Sequence, residues 1–161
     1  MAFVFGGSGL TGSSRTSRAQ LRTVCLNMSG PAGAPKKIRH KGFSHAGMIV
    51  EDTAKALEFY VNVLGMSDDT ATRPNLAFGG AFVRAGEHQI HLMELPNPDA
   101  KDGRPEHGGR DKHVALNVED IDPLVESLNA NGVFYTMSKS GRRALFCRDL
   151  DGNALEFIET K

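Results

Sequence analysis

The sequence predicts an α+β fold built from two paired βαβββ modules. Residues 44–52, SHAGMIVED, recur as residues 112–120, KHVALNVED, with a His opening each apolar run and Val-Glu-Asp closing it. The ends of the two copies also match, because residues 89–95, QIHLMEL, share the apolar and acidic pattern of residues 154–160, ALEFIET. Short apolar runs bounded by turn residues are typical of strands, and each copy also contains one stretch with helical spacing. A duplicated unit therefore organises the chain.

The first module is predicted at residues 43–95. Its opening strand leads to Asp52 or Thr53 as the helix N-cap, and apolar residues then recur at helical spacing until Gly65. The positions expected to be buried on this helix are Leu57, Tyr60, Val61 and Leu64. The strands are predicted at residues 43–50, 66–72, 77–84 and 89–95.

The second module is predicted at residues 113–160, after a linker of residues 96–112 that consists mainly of Pro, Gly and charged residues. Its helix is expected to start at Asp122 as N-cap with Pro123 in the first helical position. The strands are predicted at residues 113–118, 134–137, 143–148 and 154–159. Together the modules form one predicted domain, residues 42–160.

The charges are unevenly distributed although the formal net charge is zero. No Asp or Glu precedes Glu51, so all 19 acidic residues fall in the part of the chain that holds both modules. Nucleic acid and anionic membranes attract basic surfaces, so we expect neither as a partner. The modules contain one cysteine, Cys147, in an apolar strand pattern, which predicts a small core residue rather than a disulfide.

Residues 1–37 are predicted to be a leader that is removed from the mature protein. They hold Ser, Thr, Gly, Ala and Arg without any acidic residue, which is typical of organelle transit peptides. Phe3 and Phe5 near the start resemble the plastid targeting sequences of red-lineage algae, so the predicted location is the chloroplast stroma, and otherwise the cytoplasm. The alternative is a disordered, low-complexity tail. No segment approaches the roughly 20 apolar residues that span a bilayer.

Strand parity selects four candidate metal ligands. Side chains alternate between the two faces of a strand, and His45, His91, His113 and Glu156 all fall on the face opposite the apolar residues that pack under the helices. Three imidazoles and a carboxylate gathered there would be costly to bury without a cation, and they suit a divalent Zn, Ni, Co, Mn or Fe ion. Glu94 and Glu159 fall on the other face and are not expected to be ligands. The remaining histidines are expected to be solvated: His40, His88 and His107.

These residues resemble a known family. The segments SHAGMIVED, EFYVNVLGM, QIHLMELPNPD, GRPEHGGRDKHVAL and RALFCRDLDGNALEF look like the glyoxalase/bleomycin-resistance/dioxygenase proteins, the vicinal oxygen chelate superfamily. They most resemble its plastid and cyanobacterial glyoxalase-I-like members, which are lactoylglutathione lyase-like. The resemblance covers residues 42–160. It implies a cupped, strongly curled mixed sheet with helices outside, closed around one divalent metal ion and commonly completed across a homodimer.

The resemblance also implies roles for single residues. The four ligand places of the family fall on His45, His91, His113 and Glu156, and His91 stands where glyoxalase I usually has Glu. In that enzyme the metal holds both oxygens of the hemithioacetal of glutathione and methylglyoxal, while a carboxylate moves a proton between adjacent carbons. Glu156 is the candidate for that catalytic base.

Arginines before and within the second module are candidates for contacts to an anionic substrate such as a glutathione adduct. They are Arg110, Arg142 and Arg143. Two other functions stay open, both implied by the same superfamily: extradiol-type dioxygenation with iron, and sequestration of a small molecule without turnover. The linker could let the modules pair within one chain or exchange between two chains.

Overall fold

The computed structural model of the protein describes residues 37–161, so residues 1–36 of the predicted leader lie outside the described residues. Each predicted module is present as a four-stranded mixed sheet with one α-helix, which confirms the α+β fold of two βαβββ modules. In each sheet the first strand pairs in parallel with the last, and the other neighbours are antiparallel. Residues 40–161 form one compact unit.

The two sheets have the same strand order. In the first module it is β1-β4-β3-β2, and in the second it is β5-β8-β7-β6. The strands of the first module are β1 His45–Val50, β2 Ser67–Asp68, β3 Gly79–Ala85 and β4 His88–Glu94. The strands of the second are β5 His113–Val118, β6 Tyr135–Met137, β7 Ala144–Arg148 and β8 Ala154–Glu159. The helices are α1 Thr53–Glu58 and α2 Asp122–Ala130.

Alternation along β1 decides which face of the first sheet the helix covers. Met48 and Val50 are buried in the core, whereas His45 and Gly47 on the other face are exposed. Removing apolar side chains from water stabilises the fold by about 25 cal/mol per Å². The helix therefore packs on the Met48 face, as the sequence predicts, and the histidine face is left open.

Helix α1 starts as predicted and ends differently. The Asp52 side chain caps it by accepting a hydrogen bond from the Lys55 backbone N–H at 3.0 Å. The chain then continues as a π-helical turn, Phe59–Val63, closed by the Leu64 N–H donating to the Phe59 carbonyl at 3.0 Å.

The wider turn changes which side chains of this segment are buried. Tyr60 and Leu64 are buried as expected, but Leu57 and Val61 are only partly buried. Ala56 and Phe59 are fully buried with them. A π-helical turn adds one residue to the i→i−4 pattern and so rotates the buried face, which regular helical spacing does not anticipate.

The predicted strand at residues 66–72 is wrong in length. Only Ser67 and Asp68 pair with β3, because the Asp68 side chain accepts a hydrogen bond from the Thr70 N–H at 2.8 Å and turns the chain into a short 3₁₀ helix, Thr70–Thr72. In the second module the N-cap is Ile121, one residue before the predicted Asp122.

Within the described residues, three buried or partly buried hydrogen bonds join the two modules. The Tyr60 hydroxyl donates to Asp149 Oδ2 at 2.9 Å, and the Asn153 side-chain amide donates to the Ile49 carbonyl at 3.0 Å. The Ser127 hydroxyl donates to the Val63 carbonyl at 2.7 Å. The hydrophobic core is continuous across both modules and includes Cys147, which is buried as predicted. Within residues 37–161 there is no helix long and apolar enough to cross a membrane.

Candidate metal centre

The second module brings His113 and Glu156 together. His113 opens β5 and Glu156 lies on the neighbouring β8, with the His113 Nε2 atom 3.3 Å from the Glu156 Oε2 atom. The other ring nitrogen, Nδ1, lies 2.9 Å from the Asp111 carbonyl oxygen. A carbonyl only accepts, so Nδ1 carries the proton and the Nε2 of a neutral ring presents a lone pair to the carboxylate. Two acceptors at this distance are stable only with a proton or a cation between them.

The position of His113 depends on how the linker folds. The Asp111 carboxylate accepts hydrogen bonds from Arg104 and Arg148, each at 2.9 Å, and these hold its pKa down at about 2. Arg148 also donates to the Pro105 carbonyl at 2.7 Å. Asp111, whose carbonyl orients the His113 ring, is thereby held by one arginine from the linker and one from β7.

Glu156 is buried beside the Arg142 guanidinium and the His113 ring. Its side chain is 6% exposed, and its Oε1 atom lies 3.4 Å from the Arg142 guanidinium. The Arg142 Nε–H donates to the Ser140 hydroxyl at 3.2 Å, and the Arg142 side chain is 58% exposed. The Arg142 side chain therefore contacts the buried Glu156 carboxylate and is itself exposed to solvent.

The first module brings His45 and His91 together. Their rings stack with centroids 3.8 Å apart and 11° between the planes, and the Phe82 ring stacks on the other side of His91 at 3.6 Å. Burial lowers the pKa of His91, and the nearby His45 lowers it further. His91 is thus favoured as a neutral imidazole, the form that binds a metal ion.

The described residues form two pairs of candidate ligands rather than one cluster. Within residues 37–161 no group of three or more His, Cys, Asp or Glu side chains is placed to hold one metal ion. A metal ion lies in the plane of each ring that binds it, so the parallel rings of His45 and His91 could share an ion only after one ring turns. The donor chemistry of both pairs fits a divalent cation. The four-ligand centre stays a prediction.

Two other arginines and one other histidine have different surroundings from one another. Arg110 is exposed at the end of a 3₁₀ turn, Gly108–Arg110, in the linker. Arg143 is engaged by Asp122 and by Glu159, the latter at 3.1 Å, and so holds helix α2 to β8. The expectation that His107 is solvated is wrong, because it is partly buried with Nδ1 2.7 Å from the Thr136 hydroxyl.

Two phenylalanines at the site were not found from the sequence. Phe82 is paired in register with His91, and Phe146 is paired with Glu156, so each stands one strand away from a candidate ligand. The His107 and His113 rings both meet the Phe146 ring edge-on. Phe146 also lines a cleft of about 410 Å³. Matching the two copies strand by strand would have found these residues, since both are Phe at corresponding places.

Comparison with known proteins identifies the class that this fold and site define. The model of the Glyoxalase/Bleomycin resistance protein/Dioxygenase superfamily matches residues 42–157. The chain belongs to this superfamily. The predicted closeness to plastid members stays a prediction.

Individual relatives agree with this assignment. The lactoylglutathione lyase of Haemophilus influenzae is 32% identical over 127 residues, covering 73% of this chain and 91% of that protein. The uncharacterized protein YaeR of Escherichia coli is 29% identical over 125 residues, covering 74% of this chain and 96% of that protein. A crystal structure of the fosfomycin resistance protein FosX from Listeria monocytogenes has a TM-score of 0.61 at 19% identity, covering 76% of this chain and 94% of that one, which supports the fold.

Proposed function

We propose that this protein is a metal-dependent isomerase of the glyoxalase I type. Its substrate would be the hemithioacetal of glutathione and methylglyoxal, or a related vicinally oxygenated small molecule. The observation that carries the proposal is the pair formed by His113 Nε2 and Glu156 Oε2, two acceptors 3.3 Å apart on neighbouring strands of the second sheet. The relatives that are lactoylglutathione lyases support the choice of reaction.

The residues that would hold the ion are His45, His91, His113 and Glu156. This donor set suits Zn, Ni, Co, Mn or Fe. When bound, the ion would supply Lewis-acid stabilisation of the negative charge that develops on the substrate oxygens. Asp111 orients His113 for this task through its carbonyl oxygen.

Glu156 is the residue we assign as general base. Isomerisation needs one group that takes a proton from a carbon and returns it to the adjacent carbon, which contributes about 10²- to 10⁴-fold to the rate. Glu156 is the single carboxylate of the four candidates, because His91 stands where a second one is usual. Its burial excludes water from the carboxylate, and Arg142 fixes the orientation of its second oxygen.

Arg142 is also the residue we assign to an anionic group of the substrate. Its guanidinium is 58% exposed and adjoins the carboxylate that would act as base. A planar guanidinium binds a carboxylate through two parallel hydrogen bonds, which would hold a glutathione adduct near Glu156. Arg110, exposed in the linker turn, is a second candidate for the same role.

We also propose that the protein works as a homodimer. The two ligand pairs belong to different modules, and His45 and His113 lie on sheet faces that residues 37–161 of a single chain leave exposed. The polar side chains on such a face can find binding partners when a second module packs against it. One four-ligand site would then take a pair from each of two chains.

The test compares the glutamate on the face of β8 that carries the His113 contact with a glutamate on the opposite face of the same strand. Glu156→Gln in the purified full-length protein should lower bound divalent metal, measured by elemental analysis, and lower lactoylglutathione formation at least 100-fold. Glu159→Gln, on the same strand with the opposite parity, should leave both unchanged. A metal-loaded wild-type protein that does not convert the hemithioacetal would remove the glyoxalase assignment.

The same preparation separates the other two functions. Extradiol dioxygenation would consume oxygen with a catechol, whereas the isomerisation consumes none. A sequestering protein would bind its ligand and return it unchanged. Oxygen uptake without lactoylglutathione would therefore favour the dioxygenase, and binding without turnover would favour the sequestering protein.

For the leader we propose import into the plastid. The acid-free Ser, Thr and Arg composition of residues 1–37 supports this location. A fluorescent protein fused after residue 37 should accumulate in plastids, and diffuse cytoplasmic fluorescence would contradict the proposal.

A further inference from the structure

The Arg142 side chain is exposed, yet two of its nitrogen atoms already have partners. The Nε–H donates to the Ser140 hydroxyl at 3.2 Å, and Nη2 lies 3.4 Å from the Glu156 Oε1 atom. The third nitrogen, Nη1, makes no hydrogen bond to any residue between 37 and 161. One edge of the guanidinium is therefore held within the protein, and Nη1 is available to a ligand.

The loop that carries Arg142 also holds Ser140 in place. Residues 138–143 join β6 to β7, and the Ser138 N–H closes this loop by donating to the Ala144 carbonyl at 2.8 Å. The Ser140 N–H donates to the Ser138 hydroxyl at 3.3 Å, and the two hydroxyl oxygens lie 2.9 Å apart. Ser138 thus holds both the backbone and the side chain of Ser140.

The neighbouring arginine of the same loop has a different partner. Arg143 Nε lies 3.1 Å from Glu159 Oε2, and Glu159 is on the opposite face of β8 from Glu156. Arg143 therefore stabilises the covered side of the sheet. Arg142 is the arginine of this loop that reaches the candidate site.

The Ser140 contact matters because Arg142 is long and 58% exposed. A ligand that has to order such a side chain when it binds typically loses about two- to tenfold in affinity. The contact to Glu156 alone leaves the guanidinium plane able to turn about that contact. A second contact at Nε fixes the plane, so Arg142 is ordered before a ligand arrives.

We propose that Ser140, supported by Ser138, is a positioning residue that orients Arg142 between the Glu156 carboxylate and an anionic group of the substrate. The orientation towards Glu156 is a property of the free protein, whereas the contact to substrate rests on the proposed function. With Nε and one Nη2–H engaged, a substrate carboxylate accepts from Nη1 and from the second Nη2–H. Ser140 acts through Arg142 and touches no reacting atom.

The first experiment measures the order of Arg142 without any ligand. Hydrogen exchange of the Arg142 Nε–H is followed by nitrogen-15 NMR in the full-length protein, and the signal is assigned by its loss in Arg142→Lys. Loss of one hydrogen bond in Ser140→Ala should speed this exchange by about two- to tenfold. Ser140→Thr, which keeps the hydroxyl, should match wild type. Ser67→Ala, at an exposed position of β2, is the control and should also match wild type.

The second experiment measures binding of S-methylglutathione by titration calorimetry, because this probe carries the carboxylates of a glutathione adduct. Ser140→Ala should weaken binding by about two- to tenfold, and Ser140→Thr should restore it. Arg142→Ala should weaken binding at least as much. If Ser140 acts through Arg142, adding Ser140→Ala to Arg142→Ala should cause no further loss.

Each outcome supports the proposal or overturns it. Equal Nε–H exchange in wild type and folded Ser140→Ala would overturn it. If Ser140→Ala does not fold, wild-type exchange as fast as that of an unstructured arginine peptide would overturn it too. Additive losses in the double variant would show that Ser140 acts independently of Arg142.

The same measurements keep this proposal apart from the proposed function. A wild-type protein that does not bind S-methylglutathione would reject the substrate contact of Arg142. Slow Nε–H exchange and the expected binding in a protein without isomerase activity would contradict only the proposed function.

Discussion

Tyr60 shows how one side chain ties the modules together. It is fully buried, and its hydroxyl donates to Asp149 Oδ2, which also accepts from the Asn153 amide at 2.7 Å. Burial raises the pKa of Asp149, and the hydrogen bonds from Asn153 and Tyr60 oppose that rise. Removing a donor from a buried, partly satisfied acceptor costs about 1–2 kcal/mol. Tyr60→Phe should therefore lower the free energy of unfolding by about that amount, measured by urea denaturation.

The chain offers a matched control for this substitution. Tyr135 on β6 is partly buried, and its hydroxyl makes no hydrogen bond to any residue between 37 and 161. Tyr135→Phe should change the free energy of unfolding by less than about 0.5 kcal/mol. Equal effects of the two substitutions would show that the Tyr60 hydroxyl does not hold the modules together.

At the scale of elements, a glutamate at the end of the last strand supports the helix of each module. Glu94 Oε2 accepts from the Thr53 N–H at 3.0 Å and from the Thr53 hydroxyl at 2.6 Å. Glu159 Oε2 accepts from the Ile121 N–H at 3.3 Å. Both groups lie beside a helix N-terminus, where negative charge is favoured. This explains why the two copies share a glutamate on the face opposite the candidate ligands.

The Glu94 contact should make stability depend on pH. The hydrogen bonds from Thr53 lower the pKa of Glu94. A carboxyl whose pKa is lowered by folding stabilises the protein above its unfolded pKa, about 4.3, and loses that contribution as the pH falls through the lower folded value. Wild-type protein should therefore be more stable than Glu94→Gln at pH 7, and the difference should shrink below about pH 4.

The measurement is urea unfolding at several pH values, followed by circular dichroism. Glu87→Gln, in the exposed turn between β3 and β4, is the control and should match wild type throughout. A Glu94→Gln difference that stays constant from pH 7 to pH 3 would mean that charge at this helix end contributes nothing.

The sequence predicted most elements because their signals are local. Alternation placed β1 and β5 correctly, and it also separated His45 from Met48. It overextended β2, where a hydrogen bond from the Thr70 N–H to the Asp68 side chain ends the strand. It also missed the π-helical turn after α1, because such a turn depends on packing rather than on the spacing of apolar residues.

At the scale of the molecule, the sequence predicts one site of four ligands, whereas among residues 37–161 the structure brings candidate ligands together only within each module. Parity along β8 places Glu156 on the face of β5 that carries His113, and the structure brings these two together. Whether that pair meets His45 and His91 depends on how modules pack, within or between chains, and no local pattern encodes this. The stacking of Phe82 on His91 was missed for a related reason, since it requires the register between β3 and β4.

Mixing two inactive variants tests whether the site is shared between chains. His45→Ala breaks the first-module pair and Glu156→Ala breaks the second-module pair, so each homodimer should bind little metal. In a dimer that exchanges modules, a mixed pair has one site with both defects and one with neither. Equal amounts, unfolded and refolded together, should therefore regain about a quarter of wild-type metal and activity, because half of the dimers are mixed. A site made within one chain would regain nothing, since every chain carries a defect in its own site.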